Sequence, residues 1–443
     1  MLSKSILNPY IIGCIILLSY SLALSCDILV ISTQAAQEGR PIIWKNRDDP
    51  AGFFIGVRRF KANNPEIGSY ICIEEKLYPD VISICSAGVN EAGLAIANTS
   101  AYTGSALKEL INVDEPILEK ALSNCKTVEC FEKLLIGTHN YPEKFYATSS
   151  NFVVIDAFGG ALHYEAYADL REPVDFIKHD ANIEHFSNKT NYIDLHEIYD
   201  STSEARSHRA TDLLTYYFNQ NELTPKTVMQ EISKDVCDND TSQNLTNFNT
   251  RYCISRAYTR LGVVIEGVAP GEDPNLSTMW VNLGEPSVGV FVPLYPAAHF
   301  LPKAVKTNAL GSAPFNVAII DKELEIYSNN GSLNRYVEIP GIKDMTMNKE
   351  KLIEWQKTTF DIENNLIDGD KRIKEYIKNV KDPKKVEEIL KTFSNDAVNY
   401  AYETYTGKNN IPIRSNINSF KIWLKSAYRN ADSLVMNILG YSI

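Results

Sequence analysis

Cys26-Asp27-Ile28-Leu29-Val30-Ile31-Ser32, followed after a polar link by Gly39-Arg40-Pro41-Ile42-Ile43-Trp44-Lys45-Asn46-Arg47-Asp48, is the stretch on which the fold turns. Residues 28–32 and 41–45 are short runs rich in β-branched and aromatic side chains, with a glycine in the link between them. They read as strand, turn, strand. The second strand runs out into four polar residues, Lys45-Asn46-Arg47-Asp48.

What precedes Cys26 reads differently. Residues 1–25 carry one charge, Lys4, then an apolar run over 10–18, then small residues, with Ala23 and Ser25 at −3 and −1 from Cys26. This is the pattern of a secretory signal peptide cut before Cys26. The run is short for a membrane span, and an uncleaved anchor is the alternative. The expected location is secreted or periplasmic, outside the cytoplasm. Cleavage there makes Cys26 the first residue and puts a thiol and a free α-amine on one residue. That amine titrates near about 8, so it can serve as the base that activates the thiol. The alternative is a lipid-modified cysteine, for which Ala23-Leu24-Ser25 lacks the usual Leu at −3.

Export also changes how the other cysteines read. Cys72, Cys85, Cys125, Cys130, Cys237 and Cys253 remain with Cys26, an odd number, which draws attention to one reactive thiol. Cys72–Cys85 across two strands, Cys125–Cys130 within one short segment and Cys237–Cys253 around a polar loop are the expected disulfides, leaving Cys26 over. A five-residue spacing does not fit a continuous helix, so Cys125–Cys130 must leave a helix or span its end.

The 443 residues are 44% apolar and 22% charged, a globular composition sufficient for one large domain or two. A formal net charge of −11 argues against sequence-independent nucleic-acid binding, which needs a basic footprint. Neither HExxH nor paired CxxC occurs, so a standard zinc site is not expected. Further strands are expected at 94–98, 151–156, 161–166, 262–268, 279–283, 288–292 and 316–321. Helices are expected at 115–124, 128–136, 204–218 and 225–234, the last capped by Thr224 with Pro225 at its first position. Beyond about 343, Leu352, Trp355, Thr359, Ile362 and Leu366 step by three or four, as do Ile373, Ile377 and Val380. Residues 386–401 and 419–439 also read helical. The chain divides into a signal segment (1–25), a main domain (26–343) and a helical extension (344–443). Strands with hairpin connections beside helices make a layered α+β fold on antiparallel sheet.

With Cys26 at its head, Lys45-Asn46-Arg47-Asp48 resembles the Arg/Lys-Asn-x-Asp opening of cysteine-type N-terminal nucleophile (Ntn) hydrolases. These linear-amide hydrolases include bile salt hydrolases, penicillin V acylases, aminopenicillanic acid acyltransferases, cysteine dipeptidases and secernins. Gly88-Val89-Asn90-Glu91-Ala92-Gly93-Leu94 is similar to their strand–turn–strand block, with Asn90 read as a turn residue. Asn151 to Glu165 resembles a hairpin of the acyltransferase-like branch, and Ala205-Arg206-Ser207-His208-Arg209 an arginine-bearing segment of bile salt hydrolases. Trp280, Gly284, Pro286 and Pro293 resemble the closing strands, where they read as structural.

The resemblance implies an αββα sandwich of two mainly antiparallel sheets. It implies that Cys26 attacks a linear amide C–N bond other than a peptide bond and forms an acyl-enzyme. Asp48 then orients the amine or thiol, Asn151 and Asn98 with a backbone N–H hold the oxyanion, and Arg206 or Arg209 supplies an active-site cation. Lys45, Arg47 and Arg209 are the expected substrate-binding residues. Lys45 stands where bile salt hydrolases have Arg, a point charge in place of a fork. The implied partner is a small-molecule amide, with no metal, organic cofactor, nucleic acid or membrane span after processing. An acyltransferase or dipeptidase of the same superfamily, and a non-catalytic exported lipoprotein, are the alternatives. Asn98, Asn188, Asn239, Asn244, Asn275 and Asn330 head glycosylation sequons.

Overall fold

The computed structural model describes residues 26–48, 54–76, 83–101, 111–112, 114–137, 146–168, 175–191, 201–237, 247–250, 252–307, 311–327 and 346–407. The signal segment, the 419–439 helix and the sequons at Asn239, Asn244 and Asn330 lie outside the described residues.

The first strands are β1 (Cys26–Ile31), β2 (Ile42–Asp48), β3 (Phe54–Lys61), β4 (Ser69–Lys76), β5 (Ser83–Asn90) and β6 (Ala95–Ser100). After β7 (Ile111–Asn112) come β8 (Tyr146–Ile155), β9 (Ala161–Ala168), β10 (Asp175–Asp180) and β11 (Phe186–Lys189). The last are β12 (Asn247–Asn249), β13 (Thr259–Glu266), β14 (Thr278–Asn282), β15 (Val292–Leu294) and β16 (Thr346–Asn348). One sheet has the order β11-β1-β2-β13-β14-β15, and a second runs β10-β9-β8-β6-β5-β4-β3 with β7 added beside β8. Their ladders are antiparallel except for β7 on β8.

The two sheets pack face to face, with β1 and β2 across β6 and β8. Strand alternation explains the core between them. Ile28, Val30 and Ile43 from one sheet meet Ile71, Ile73, Ala95, Ala97 and Val153 from the other. The opposite faces of β6, β8 and β9 (Ile96, Phe152, Val154, Tyr164) are covered by Leu118, Leu122, Phe131 and Leu135 of helices Asp114–Asn124 and Val128–Ile136. Against the first sheet lie helix Ser201–Asn219, beside β11, and the two long helices Lys349–Ile377 and Pro383–Thr406, beside β15. Ile362, Leu366, Ala397, Val398 and Ala401 of those long helices belong to the same core as β1 and β2. Buried ion pairs fix the first of them there: Lys234 Nζ lies 2.8 Å from Glu363 Oε1, and Lys374, 2.9 Å from Asp370 on its own helix, pairs with Glu266 of β13.

Two expected elements differ. Residues 316–321 lie within helix Pro314–Ile326, which buries Phe315, Ile319, Glu323 and Ile326 at helical steps behind Pro314. A short apolar run alone does not separate strand from helix. Residues 288–292 begin as a turn, with Val288 N and Gly289 N both on Glu285 O, and only Val292–Leu294 is strand. The Gly284-Glu285-Pro286 turn sits against helix Pro314–Ile326, where a Cβ on Gly284 would collide with Ile319. The structural reading of that motif agrees with this packing. The 225–234 helix starts at Pro225 under Thr224, whose side chain accepts from Thr227 N, and continues as a wider turn over Val228–Ile232.

Cys72–Cys85 ties β4 to β5, with a register shift between Cys72 and Glu74. Cys125–Cys130 joins the end of one helix to the first turn of the next. The third expected disulfide is not made: Cys237 and Cys253 are free thiols. Hydrogen bonding from Cys237, together with burial, pushes the Cys253 thiol upward, so its proton is held in place.

Candidate active site around Cys26

β1 and β2 set Cys26 opposite Arg47, Asp27 opposite Asn46 and Ile28 opposite Lys45. Alternation then sorts these polar residues onto two faces. Cys26, Arg47 and Lys45 look toward the second sheet with Ile28. Asp27, Asn46 and Asp48 look toward the helical layer.

On the inter-sheet face, Cys26 is fully buried. Its Sγ accepts from Arg47 Nη1 at 3.4 Å, and Arg47 Nε donates to Glu75 Oε2 at 3.0 Å. Lys45 Nζ donates to Ser86 O (3.1 Å), Asn98 O (2.6 Å) and Asn98 Oδ1 (3.1 Å). The backbone nitrogen of Cys26 donates to Asn191 Oδ1 at 2.7 Å. In the uncut chain this atom is a peptide nitrogen; after cleavage before Cys26 the same atom is the α-amine. Asn191 is itself pinned, with Nδ2 donating to Thr99 Oγ1 (3.0 Å) and Ser100 O (2.8 Å) at the end of β6. Asn151 Nδ2 donates to Thr190 O at 3.0 Å and so braces the residue before Asn191.

Behind this face lies a charged cluster. Asp48 Oδ2 accepts from Arg256 Nε (2.8 Å), Arg256 Nη2 (2.5 Å) and Arg206 Nη1 (3.2 Å), and its Oδ1 accepts from Thr259 Oγ1 (2.6 Å). Arg206, fully buried on helix Ser201–Asn219, also places Nη2 3.4 Å from Asn191 Oδ1 and Nε 3.3 Å from Asp27 Oδ1. Burial pushes the Asp27 carboxyl up to about 7, although Arg206 pulls the other way. Arg206 therefore links the charged cluster to the acceptor that holds the Cys26 nitrogen.

No protein-family model matches the sequence, and no curated protein matches it. Solved structures with some likeness include the Caenorhabditis elegans ortholog of N-acylethanolamine-hydrolyzing acid amidase, at 12% identity and a TM-score of 0.36 over 56% of this chain and 94% of that one. Penicillin V acylase from Agrobacterium tumefaciens is similar at 15% identity and a TM-score of 0.35, over 61% of this chain and 86% of that one. A mutant conjugated bile acid hydrolase from Clostridium perfringens is similar at 12% identity and a TM-score of 0.38, over 72% of this chain and all (100%) of that one. These likenesses are weak, and what Cys26 can do follows from its own surroundings.

The expected site residues are partly brought together. Cys26 and Arg47 touch, and Asn151 and Arg206 each reach Cys26 through Asn191 or the residue before it. Asp48 makes its bonds to Arg206, Arg256 and Thr259, on the face away from the Cys26 thiol. Lys45 spends its ammonium on Ser86 O and Asn98, and Asn98, 3% exposed, is tied to that lysine. Arg209 lies apart, paired with Asp235 at 2.7 Å. Asn90 is the turn residue it was read as: its Oδ1 accepts from Leu94 N, and its Nδ2 donates to Leu122 O and Cys125 O.

Sequence reading missed Asn191, Glu75, Arg256 and Thr259. Asn191 follows a short, polar edge strand, Phe186–Lys189, without apolar alternation to announce it. Glu75 lies near the end of β4 and meets Arg47 only across the two sheets. Arg256 and Thr259 precede the apolar run of β13 and meet Asp48 only when β13 pairs with β2. Among the described residues, no group of three or more His, Cys, Asp or Glu could hold a metal, and no helix is long and apolar enough to cross a membrane.

Proposed function

We propose that this protein is an amidohydrolase acting on a linear, non-peptide amide C–N bond, with Cys26 as an N-terminal nucleophile after removal of residues 1–25. The observation that carries this reading is the setting of one residue. The Cys26 sulfur lies against the Arg47 guanidinium while its own nitrogen lies on Asn191 Oδ1. Cys26 is thus distinguished from Cys253, whose thiol is held protonated.

In the proposed mechanism the freed amine takes the thiol proton, and the thiolate, steadied by Arg47, attacks the amide carbonyl. The negative charge on the carbonyl oxygen is assigned to the Asn98 amide and a backbone N–H. Asn151 is assigned the bracing of Thr190 and Asn191, and Arg206 the orientation of Asn191 from behind. The C–N bond breaks as the amine nitrogen takes the proton from the Cys26 ammonium. Water then adds to the thioester, and the acid leaves the sulfur. Burial of the whole constellation strengthens each electrostatic contact.

The test is mass spectrometry of the mature N-terminus together with turnover of an amide panel by wild type, Cys26→Ala and Cys26→Ser. The expected result is an unblocked Cys26 and no turnover by the Ala variant. Near-normal hydrolysis by Cys26→Ala, or an acylated N-terminus, would end this reading.

A further inference from the structure

Glu75 is a fully buried carboxylate engaged at only one oxygen. Oε2 accepts from Arg47 Nε, while Oε1 is buried and has no hydrogen-bond partner among the described residues. Ser86 Oγ is in the same condition, on β5, where the ladder with β4 shifts register. Its own carbonyl accepts from Lys45 Nζ. A buried carboxylate oxygen and a buried hydroxyl, both without a partner among the described residues, therefore belong to the two residues that hold Arg47 and Lys45. Buried polar atoms are nearly always paired in folded proteins, so a pair of exceptions beside a nucleophile points to a ligand that completes them.

The charge on this face limits what that ligand carries. Transfer of the thiol proton to the Cys26 amine leaves the summed charge of that residue unchanged, so the face is set by two cations, Arg47 and Lys45, and one carboxylate, Glu75. The face therefore carries one cation in excess before substrate arrives. An ammonium brought beside it would add a further cation without a counter-charge in a dry site, which is costly, and a carboxylate has no hydrogen to offer Glu75 Oε1. An uncharged donor supplies the hydrogen and adds no charge.

We propose that Glu75 is a specificity-determining residue whose Oε1 accepts a hydrogen bond from an uncharged donor, a hydroxyl or amide N–H, on the acyl portion of the substrate close to the scissile carbonyl. Ser86 Oγ is the second polar atom of this subsite. The inference deepens the amidase reading and rests on Cys26 as its nucleophile. It predicts hydroxyacyl and acylaminoacyl amides as the substrate class, ahead of plain alkanoyl amides and of acyl groups bearing a carboxylate or ammonium at that position.

The experiment compares hydroxyacetyl, lactoyl and N-acetylglycyl p-nitroanilides with acetyl and propionyl p-nitroanilides on the mature protein. Two readouts are taken: kcat/KM, and protection of Cys26 from iodoacetamide followed by mass spectrometry. Donor-bearing compounds are expected to be favoured by about 10- to 100-fold, the range for a hydrogen bond to a charged acceptor. Glu75→Gln and Glu75→Asp should each shrink that preference in whichever readout shows it. Equal treatment of the two sets by wild type in both readouts would overturn the proposal, with no variant needed. So would a preference that survives unchanged in either variant at a wild-type melting temperature. If wild type hydrolyses none of the panel, the amidase reading is what suffers, and the protection data still decide whether Glu75 reads a donor.

Discussion

Asn191→Asp isolates the electrostatic part of the proposed site from its geometry. The substitution keeps an acceptor oxygen 2.7 Å from the Cys26 nitrogen and adds a negative charge there. An opposite charge at such a distance typically shifts a titrating group by about 1 to 3 pH units. Arg206 Nη2 already lies 3.4 Å from the same oxygen and offsets part of the new charge, so the low end, about 1 unit, is expected. The sign follows from the role of the amine. It works as a base only when neutral, and a neighbouring carboxylate favours the ammonium. The ascending limb of kcat/KM against pH should therefore move up by about 1 unit, with activity recovering toward the plateau at higher pH. Asn191→Ala removes the acceptor without adding charge and should lower activity without that displacement. Both variants lose the Nδ2 bonds to Thr99 Oγ1 and Ser100 O, so both should melt earlier. The assay is a pH–rate series on the mature enzyme with melting curves from the same preparations. An ascending limb for Asn191→Asp that coincides with wild type would refute the assignment of the Cys26 amine as the base held by Asn191.

Asn151→Ala should lower kcat and kcat/KM together by about 10- to 100-fold, because Thr190 O loses its brace and Asn191 its fixed position. A normal kcat beside a lowered melting temperature would make Asn151 structural only. Asp27→Asn should change stability in a pH-dependent way. The folded carboxyl titrates near 7, above its ordinary 3.8, so wild type loses stability as pH rises through that window and the variant does not. A gap of that size corresponds to about 4 kcal/mol. The variant's advantage in urea midpoint should be near zero at about pH 4 and largest above about pH 7, and an advantage that does not change with pH would count against it.

Local chemistry made much of the fold legible in the sequence. The apolar runs of β1, β2, β8, β9 and β14 carry enough β-branched and aromatic residues to declare themselves as strands. Thr224-Pro225 marks a helix start, and the steps of Leu352, Ile362 and Leu366 mark a long helix. Cys26, by its place behind a cleavage pattern, and the polar run at the end of β2 could be singled out in the same way. Those signals arise between residues a few positions apart. What lies across the sheets could not be read so. That Arg47 rather than Asp48 meets the sulfur depends on the pairing of Cys26 with Arg47 and on the two-residue alternation that turns Asp48 to the other face. Asn191 reaches the Cys26 nitrogen from 165 residues away, and Arg256 reaches Asp48 from 208. Sequence by itself determined the nucleophile candidate and the strands that carry it. Tertiary structure alone decided its neighbours, because strand register and the stacking of two sheets choose which distant polar groups share one buried face.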